Sequence, residues 1–294
     1  GRILLCEANQ WPEDVRPYFG DGDEFHMGFH FPIMPRIFMA LKKERAEDMR
    51  EILRRTPSIP ENCQWCIFLR NHDELTLEMV TEEERQWMWQ QYAPEPRMKL
   101  NLGIRRRLAP LLDNDRRKVE LANSILFTLP GSPIIYYGDE IGMGDNIDLP
   151  DRNGVRTPMQ WDDSPNAGFT TGEPFAQPIQ GKLGFRSVNV ARQLADKTSL
   201  FHSINRMVDV RRRHSGFGRG SMAWVITDNP SAAVYTRTHQ EETLLIINNL
   251  SGEHQTLVLP LEYQATYTDL LSNTRQDTDQ KFTLQPYAYL WLKR

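Results

Sequence analysis

Residues 66–74 read Cys-Ile-Phe-Leu-Arg-Asn-His-Asp-Glu, an apolar run of four residues followed directly by charged and polar ones. A short continuous apolar run is typical of a strand that is buried on both faces, as in a parallel sheet. Polar residues directly after such a strand lie at its carboxyl end, where parallel α/β barrels carry their chemistry. We therefore take Asn71, His72 and Asp73 as candidate functional residues.

Two other stretches repeat this pattern. Residues 3–6 form an apolar run that ends on Glu7. Residues 134–137 form another, which is followed by Asp139 and Glu140. Helix-forming stretches separate these runs, at residues 35–55, 82–92 and 116–129. Strands that alternate with helices and end on carboxylates predict an α/β fold, specifically the C-terminal half of a (β/α)₈ TIM barrel.

The pattern changes near residue 216. A helix is predicted over 187–213, and the polar loop before it, residues 138–180, is long enough to indicate a functional loop. After residue 216 come short β-rich runs separated by Asn, Asp, Gly and Pro, at residues 223–226, 243–247, 256–259 and 287–292. This spacing predicts a small all-β sandwich. We expect two domains, residues 1–216 and 217–294.

The overall composition argues against several classes of partner. The 35 basic and 39 acidic residues give a formal net charge of −4, which favours neither nucleic acid nor an anionic membrane surface. Apolar runs fall short of the ~18 residues that a membrane-spanning helix needs. We expect no signal peptide at residues 1–7. We expect a cytoplasmic protein with an uncharged partner, and a homo-oligomer is left open.

Two further expectations concern the cysteines and the first residues of the chain. There are three cysteines, and Cys63 and Cys66 form a C-x-x-C without the second pair of a zinc site. We expect buried structural thiols in a reducing compartment. Residues 3–6 place a core-strand pattern at the very start of the chain, so we expect the sequence to be part of a longer polypeptide.

Three segments, in chain order, resemble the fifth, seventh and eighth barrel strands of the α-amylase family of glycoside hydrolases. They are residues 4–12, Leu-Leu-Cys-Glu-Ala-Asn-Gln-Trp-Pro; residues 68–74; and residues 136–143, Tyr-Tyr-Gly-Asp-Glu-Ile-Gly-Met. Residues 101–117 and 154–161 are similar to those of the trehalose synthases in this family, which interconvert maltose and trehalose. The resemblance covers essentially the whole chain. It implies maltose, trehalose and glucose as partners.

The resemblance also implies roles for five residues. Retaining glycoside chemistry uses an acid/base and a nucleophile about 5 to 5.5 Å apart. Glu7 is implied as the acid/base, and Asp73 as the carboxylate that stabilises the transition state by binding sugar hydroxyls. His72 and Asn71 are implied to bind the same glucose. Arg156 is implied to position the second glucose ring through its forked donors.

The family's nucleophilic aspartate has no counterpart in this sequence. The family carries it after the fourth strand, which would precede residue 1. Its usual calcium site also belongs to that upstream half, so we expect no cofactor or metal ligand in this chain. Without the nucleophile the double displacement cannot start. The isolated chain is therefore predicted to be inactive.

Simpler interpretations stay open for each motif. Glu7 alone is compatible with a solvated strand end, residues 71–73 with a polar turn, and Arg156 with a loop brace. Asp139 and Glu140 are expected to be structural. Two functional alternatives also remain. One is a hydrolytic α-glucosidase, a class that shares the Arg-Thr-Pro-Met-Gln-Trp run at 156–161. The other is a non-catalytic glucan-binding homologue.

Overall fold

The computed structural model of the chain describes residues 2–294. Within that range there are nine α-helices and fifteen β-strands. The helices are α1 Pro12–Val15, α2 Ile33–Lys43, α3 Glu47–Arg55, α4 Glu82–Tyr92, α5 Leu108–Leu111, α6 Arg116–Thr128, α7 Val190–Ala195, α8 Leu200–Arg213 and α9 Ser215–Arg219. The strands are β1 Leu5–Cys6, β2 Met27–Phe29, β3 Gln64–Phe68, β4 Leu75–Thr76, β5 Lys99–Leu100, β6 Gly103–Ile104, β7 Ser132–Ile134, β8 Ser221–Trp224, β9 Ala232–His239, β10 Glu242–Asn249, β11 Gln255–Leu257, β12 Thr266–Asp269, β13 Thr274–Asp277, β14 Phe282–Leu284 and β15 Tyr289–Lys293.

The contacts divide the chain into two compact units. The first contains residues 2–67, 121–133 and 206–294, and the second contains residues 68–120 and 134–205. The unit boundary passes through the last residues of β3 and β7. As a result, the loops that follow these two strands belong to the second unit.

A four-stranded sheet in the order β1-β2-β3-β7 forms the α/β part. β1 and β2 run parallel, with Leu5 opposite Met27, and β2 and β3 run parallel, with Phe29 opposite Cys66. β3 is the longest of the four, and four of its five residues are buried. Parallel strands linked by helices confirm the predicted half of a TIM barrel.

The sequence predictions need three corrections at element level. The region 35–55 is two helices, α2 and α3, because the backbone at Glu44 is left-handed, with φ of 54°. The region 187–213 likewise contains α7 and α8. The strand predicted at 134–137 is β7, which ends at Ile134, so the two tyrosines that follow lie beyond the strand.

The C-terminal region forms the predicted all-β sandwich. Six antiparallel strands lie in the order β13-β12-β15-β10-β9-β8, and β11 pairs with β14 in a second small sheet. On β10 the buried side chains of Leu245 and Ile247 lie two positions apart, as expected for one face of a strand. They belong to an apolar core that also includes Val225, Ala232, Val234, Leu257, Leu259, Tyr267, Leu284 and Leu292.

Two arginines, the buried Arg237 and the half-buried Arg211, bind carbonyl groups at or near the C-terminal end of α6. Arg237 Nη1 donates to the Thr128 carbonyl at 2.6 Å, and its Nη2 donates to the Gly220 carbonyl at 2.9 Å. Arg211 donates to the carbonyls of Phe127 and Gly131. Burial lowers the pKa of both guanidinium groups to about 10. These contacts supply donors to carbonyls that a helix end leaves unpaired.

The three cysteines have the buried positions that the sequence predicted. Cys6, Cys63 and Cys66 are buried and free, and burial raises the pKa of the Cys66 thiol to about 11.

Across residues 2–294, none of the helices combines the length and the apolar character that crossing a membrane requires.

Candidate active site

The polar cluster after β3 adopts a compact turn in the second unit. The side-chain oxygen of Asn71 accepts a hydrogen bond from the backbone N–H of Asp73 at 3.0 Å, which is an Asx turn. Arg70, only 1% exposed, donates from Nη2 to the Asp73 carbonyl and from Nε to the Arg106 carbonyl, both at 2.6 Å. A buried guanidinium therefore fixes the backbone of the candidate carboxylate.

The Asp73 carboxylate faces two arginines. Arg156 Nη2 donates to Asp73 Oδ1 at 2.6 Å, and Arg152 Nε lies 3.0 Å from the same oxygen. His72 Nε2 lies 3.8 Å from it. The Asp73 side chain is 35% exposed, so it retains an open side. A carboxylate that is oriented by guanidinium groups and still accessible can accept hydrogen bonds from the hydroxyls of a sugar.

Arg156 contacts the turn at two points. Besides Asp73, it donates from Nε to the His72 carbonyl at 2.7 Å. The structure thus brings together four of the five predicted residues, Asn71, His72, Asp73 and Arg156. The contacts of Arg156 are with protein groups, and its predicted action on the second glucose ring stays a prediction.

Glu74, the residue after Asp73, binds Arg152 and Asn101. Arg152 Nε donates to Glu74 Oε2 at 2.8 Å, and Asn101 Nδ2 donates to Glu74 Oε1 at 2.7 Å. Burial acts to lower the pKa of Arg152, but the carboxylates of Glu74 and Asp73 outweigh it and raise that pKa. Sequence reasoning did not select Arg152, Glu74 or Asn101. The only available signal was that Asn101 opens the run 101–117.

The long loop that carries Arg156 is tied to the residues after β7. The Tyr136 hydroxyl donates to the Val155 carbonyl at 2.9 Å, and the Tyr137 hydroxyl donates to the Thr157 carbonyl at 2.7 Å. Val155 and Thr157 are fully buried. This part of the loop is therefore a packed segment with fixed backbone groups.

Arg107 lies beneath the two tyrosines. Its guanidinium carbon is 4.7 Å from the ring centre of Tyr136 and 4.6 Å from that of Tyr137, and Nη1 donates to the Tyr137 carbonyl at 2.7 Å. The same Nη1 lies 3.9 Å from Asp139 Oδ1. Burial raises the pKa of Asp139 to about 7, although Arg107 and Arg70 act in the opposite direction. Asp139 is thus buried within this cluster.

Glu7 belongs to the first unit. It follows β1 directly, after the buried Cys6, and its side chain is exposed. The position at the carboxyl end of a parallel strand is the one predicted from the sequence. Its role as acid/base stays a prediction.

Two family models match the chain. The model for the α-amylase catalytic domain matches residues 104–220, and the model for the C-terminal domain of the α-amylase SusG matches residues 233–288. A trehalose synthase/amylase of Mycobacterium tuberculosis is 54% identical over 279 residues, covering 91% of this chain and 46% of the relative. A trehalose synthase of Thermus thermophilus is 50% identical, covering 89% of this chain and 28% of the relative. The chain spans about half the length, or less, of these relatives.

More distant matches agree in fold. An oligo-1,6-glucosidase of Bacillus cereus is 28% identical, covering 58% of this chain and 37% of the relative. The crystal structure of an α-amylase from H.orenii aligns with a TM-score of 0.69 at 21% identity, covering 99% of this chain and 53% of that one. A trehalulose synthase aligns with a TM-score of 0.68 at 22% identity, covering 99% and 56%. The chain belongs to the α-amylase family of glycoside hydrolases, and within it is similar to the trehalose synthases.

Proposed function

We propose that the full-length polypeptide containing this chain interconverts maltose and trehalose by intramolecular transfer of a glucosyl group. The observation that carries the proposal is the Asp73 cluster, in which a carboxylate with an open side is held by Arg152 and Arg156. The proposal is also supported by the 50 to 54% sequence identity of this chain to proteins named trehalose synthase.

The proposed reaction is a double displacement at the anomeric carbon. An aspartate upstream of this chain attacks that carbon while Glu7 protonates the glycosidic oxygen, so that the bond to the second glucose breaks. The freed glucose turns over and presents its own anomeric hydroxyl. Glu7, now a carboxylate, takes the proton from that hydroxyl as it attacks the covalent intermediate and releases the aspartate. Two inversions give net retention.

In this scheme Asp73, His72 and Asn71 bind the glucosyl unit that is transferred. The carboxylate of Asp73 accepts hydrogen bonds from hydroxyls next to the reacting carbon, and these bonds strengthen as positive charge develops on the sugar ring. Fixed donors and acceptors lower the barrier because they need no reorganisation during the reaction. We also retain the proposal that Arg156 contributes to the site of the second glucose.

Water must be excluded while the freed glucose turns over. We propose the loop 138–180 as the lid. It carries several exposed aromatic side chains, which are suited to packing against sugar rings, namely Trp161, Phe169 and Phe175. The hydroxyls of Tyr136 and Tyr137 fix one part of this loop, and we propose the exposed aromatic part as the segment that closes over the sugar.

Further proposals concern the chain as a whole. We place the domain boundary at residue 216, between the domains 1–216 and 217–294, in keeping with the family models that match 104–220 and 233–288. No metal or cofactor is proposed for this chain, and a calcium site is proposed only for the upstream half. The free thiols support a cytoplasmic location. A homo-oligomer remains a proposal that size measurements would test.

Substitution of the two carboxylates tests the proposed roles. In the full-length enzyme, Glu7→Gln and Asp73→Asn should each lower kcat for maltose by about 10³-fold or more, because each removes a charge used in the transition state. Glu83→Gln, at an exposed position on α4, is the matched control and should retain full activity. Full activity in either carboxylate variant would contradict the assigned roles.

A hydrolytic α-glucosidase is the second candidate, favoured by the match to an oligo-1,6-glucosidase. It differs in whether water reaches the covalent intermediate. Product analysis on maltose separates the two, since a hydrolase yields glucose in large excess over trehalose. A glucan-binding homologue would bind maltose and yield neither product.

A further inference from the structure

The segment that carries Arg156 is fixed on both sides of that residue. The carbonyl before Arg156, that of Val155, accepts from the Tyr136 hydroxyl at 2.9 Å. The carbonyl of the residue after it, Thr157, accepts from the Tyr137 hydroxyl at 2.7 Å. Two consecutive tyrosines therefore hold the carbonyls of the two residues on either side of Arg156.

The tyrosines are themselves held in place. Their ring centres are 4.6 Å apart, with ring planes at 62°. The guanidinium of Arg107, which has no exposed surface, lies within 4.7 Å of both ring centres and donates to the Tyr137 carbonyl. A buried cation against two aromatic rings favours one arrangement of the pair. Both hydroxyls are thus directed at fixed positions.

The side chain of Arg156 requires such a fixed backbone. Its Nη2 and Nε reach two different acceptors, Asp73 Oδ1 at 2.6 Å and the His72 carbonyl at 2.7 Å. An arginine side chain can adopt many rotamers, so the two contacts form together only if the Cα is placed correctly. A shift of about 1 Å at the backbone is enough to lose productive geometry at an active site.

We propose that Tyr136 and Tyr137 are positioning residues that hold Arg156 against Asp73, with Arg107 orienting the two rings. The kinetic part of this inference rests on the proposed function. The tyrosines act through Arg156 and do not touch the substrate. A purely structural role would instead brace the loop without coupling to Arg156.

A double-mutant cycle in the full-length enzyme separates these two roles. Tyr136→Phe and Tyr137→Phe each remove one hydroxyl and should lower kcat/KM for maltose by about 10-fold, mainly through kcat. Arg156→Ala should lower it by about 100-fold. In the Arg156→Ala background, the tyrosine substitutions should change kcat/KM by less than about 2-fold, because their effect is already lost.

The chain provides a matched control. The Tyr267 hydroxyl donates to the Tyr263 carbonyl at 3.0 Å, the same type of bond in the C-terminal sheet. Tyr267→Phe should leave kcat/KM unchanged with or without Arg156→Ala. If the effects of the Tyr136 and Tyr137 substitutions multiply with that of Arg156→Ala, the positioning role is wrong.

A structural readout keeps the inference testable if maltose is not a substrate. In a crystal structure of the full-length Tyr136→Phe/Tyr137→Phe variant, the Arg156 guanidinium should be displaced from Asp73 while the fold is retained. An Arg156 to Asp73 contact unchanged from 2.6 Å would overturn the inference. Absence of turnover in the wild-type enzyme would refute the proposed function alone.

Discussion

At the scale of single residues, His30 is a buried histidine that is held in its neutral form. It is 1% exposed; Nδ1 accepts from the Ile33 N–H at 3.2 Å, and Nε2 lies 2.7 Å from the Thr56 hydroxyl. An accepting Nδ1 leaves the proton on Nε2, and the Thr56 hydroxyl donates onward to the Ile52 carbonyl. Burial lowers the pKa of His30 from 6.5 to about 4.

This shift predicts a loss of stability in acid. Between pH 6.5 and about 4 the unfolded chain binds a proton at His30 that the folded chain does not, so the free energy of unfolding falls. The stabilisation is complete above pH 6.5, and the loss levels off below pH 4 at about 3 kcal/mol. Urea denaturation from pH 4 to 8 measures it. His30→Gln should flatten the profile, whereas the exposed His254→Gln should not; equal slopes for His30→Gln and wild type would contradict the assignment.

The residues of the site differ in how far the sequence predicts them. Asn71, His72 and Asp73 could be selected because they follow an apolar run directly, and that local pattern places them at the end of β3. Arg152 could not, because its partner Glu74 is 78 positions away. The sequence around Arg152 gives no indication of that contact. The pairing exists only once the loop folds back onto the turn.

At the scale of secondary-structure elements, the end of α6 depends on arginines from distant segments. Arg237→Met removes the donors to the Thr128 and Gly220 carbonyls. Leaving buried carbonyls without donors costs about 1 to 3 kcal/mol, so we expect the free energy of unfolding to fall by about 2 kcal/mol. Chemical denaturation of the purified protein measures the change.

The control for this prediction is Arg275→Met. Arg275 lies on β13 and donates to the Thr266 side chain at an exposed position. Loss of that exposed contact should change stability by less than about 0.5 kcal/mol. Equal stabilities of the two variants would show that the donors at the α6 terminus contribute nothing beyond a surface contact.

The break between α2 and α3 shows why element boundaries were only partly predicted. The residues around it, Lys42 to Arg45, contain neither Gly nor Pro and are all compatible with a helix. In the structure Glu44 takes a left-handed backbone, and its carboxylate accepts from the Gly252 N–H at 3.1 Å. The break between the helices thus coincides with a hydrogen bond between Glu44 and a residue 208 positions further along the chain. In contrast, α4 begins at Glu82 as the sequence predicted, and in the structure Thr81 and Glu84 form a capping box at that end.

At the scale of the whole molecule, the order of the motifs predicted the fold better than any single motif did. Apolar runs that end on carboxylates predicted the parallel strands of the half-barrel, and the short β-rich runs predicted the sandwich. The sequence did not delimit β2, Met27–Phe29, because three residues are too few to show a period. Contacts between residues far apart in the sequence could not be predicted from local sequence patterns.

We predict that the 294-residue polypeptide alone does not turn over maltose. It carries the proposed acid/base and stabiliser, and the proposed nucleophile lies upstream. Removing a nucleophile from such a site costs several orders of magnitude in kcat. Measurable glucose or trehalose from the purified chain, with Glu7→Gln as the blank, would contradict this.

Isotope transfer in the full-length enzyme tests the central claim most directly. The enzyme is incubated with unlabelled maltose and an excess of ¹³C-labelled glucose, and the products are identified by NMR and mass spectrometry. Intramolecular transfer within a closed site predicts trehalose that exceeds free glucose and carries essentially no label. Trehalose labelled in proportion to the free glucose, or glucose as the main product, would contradict the account.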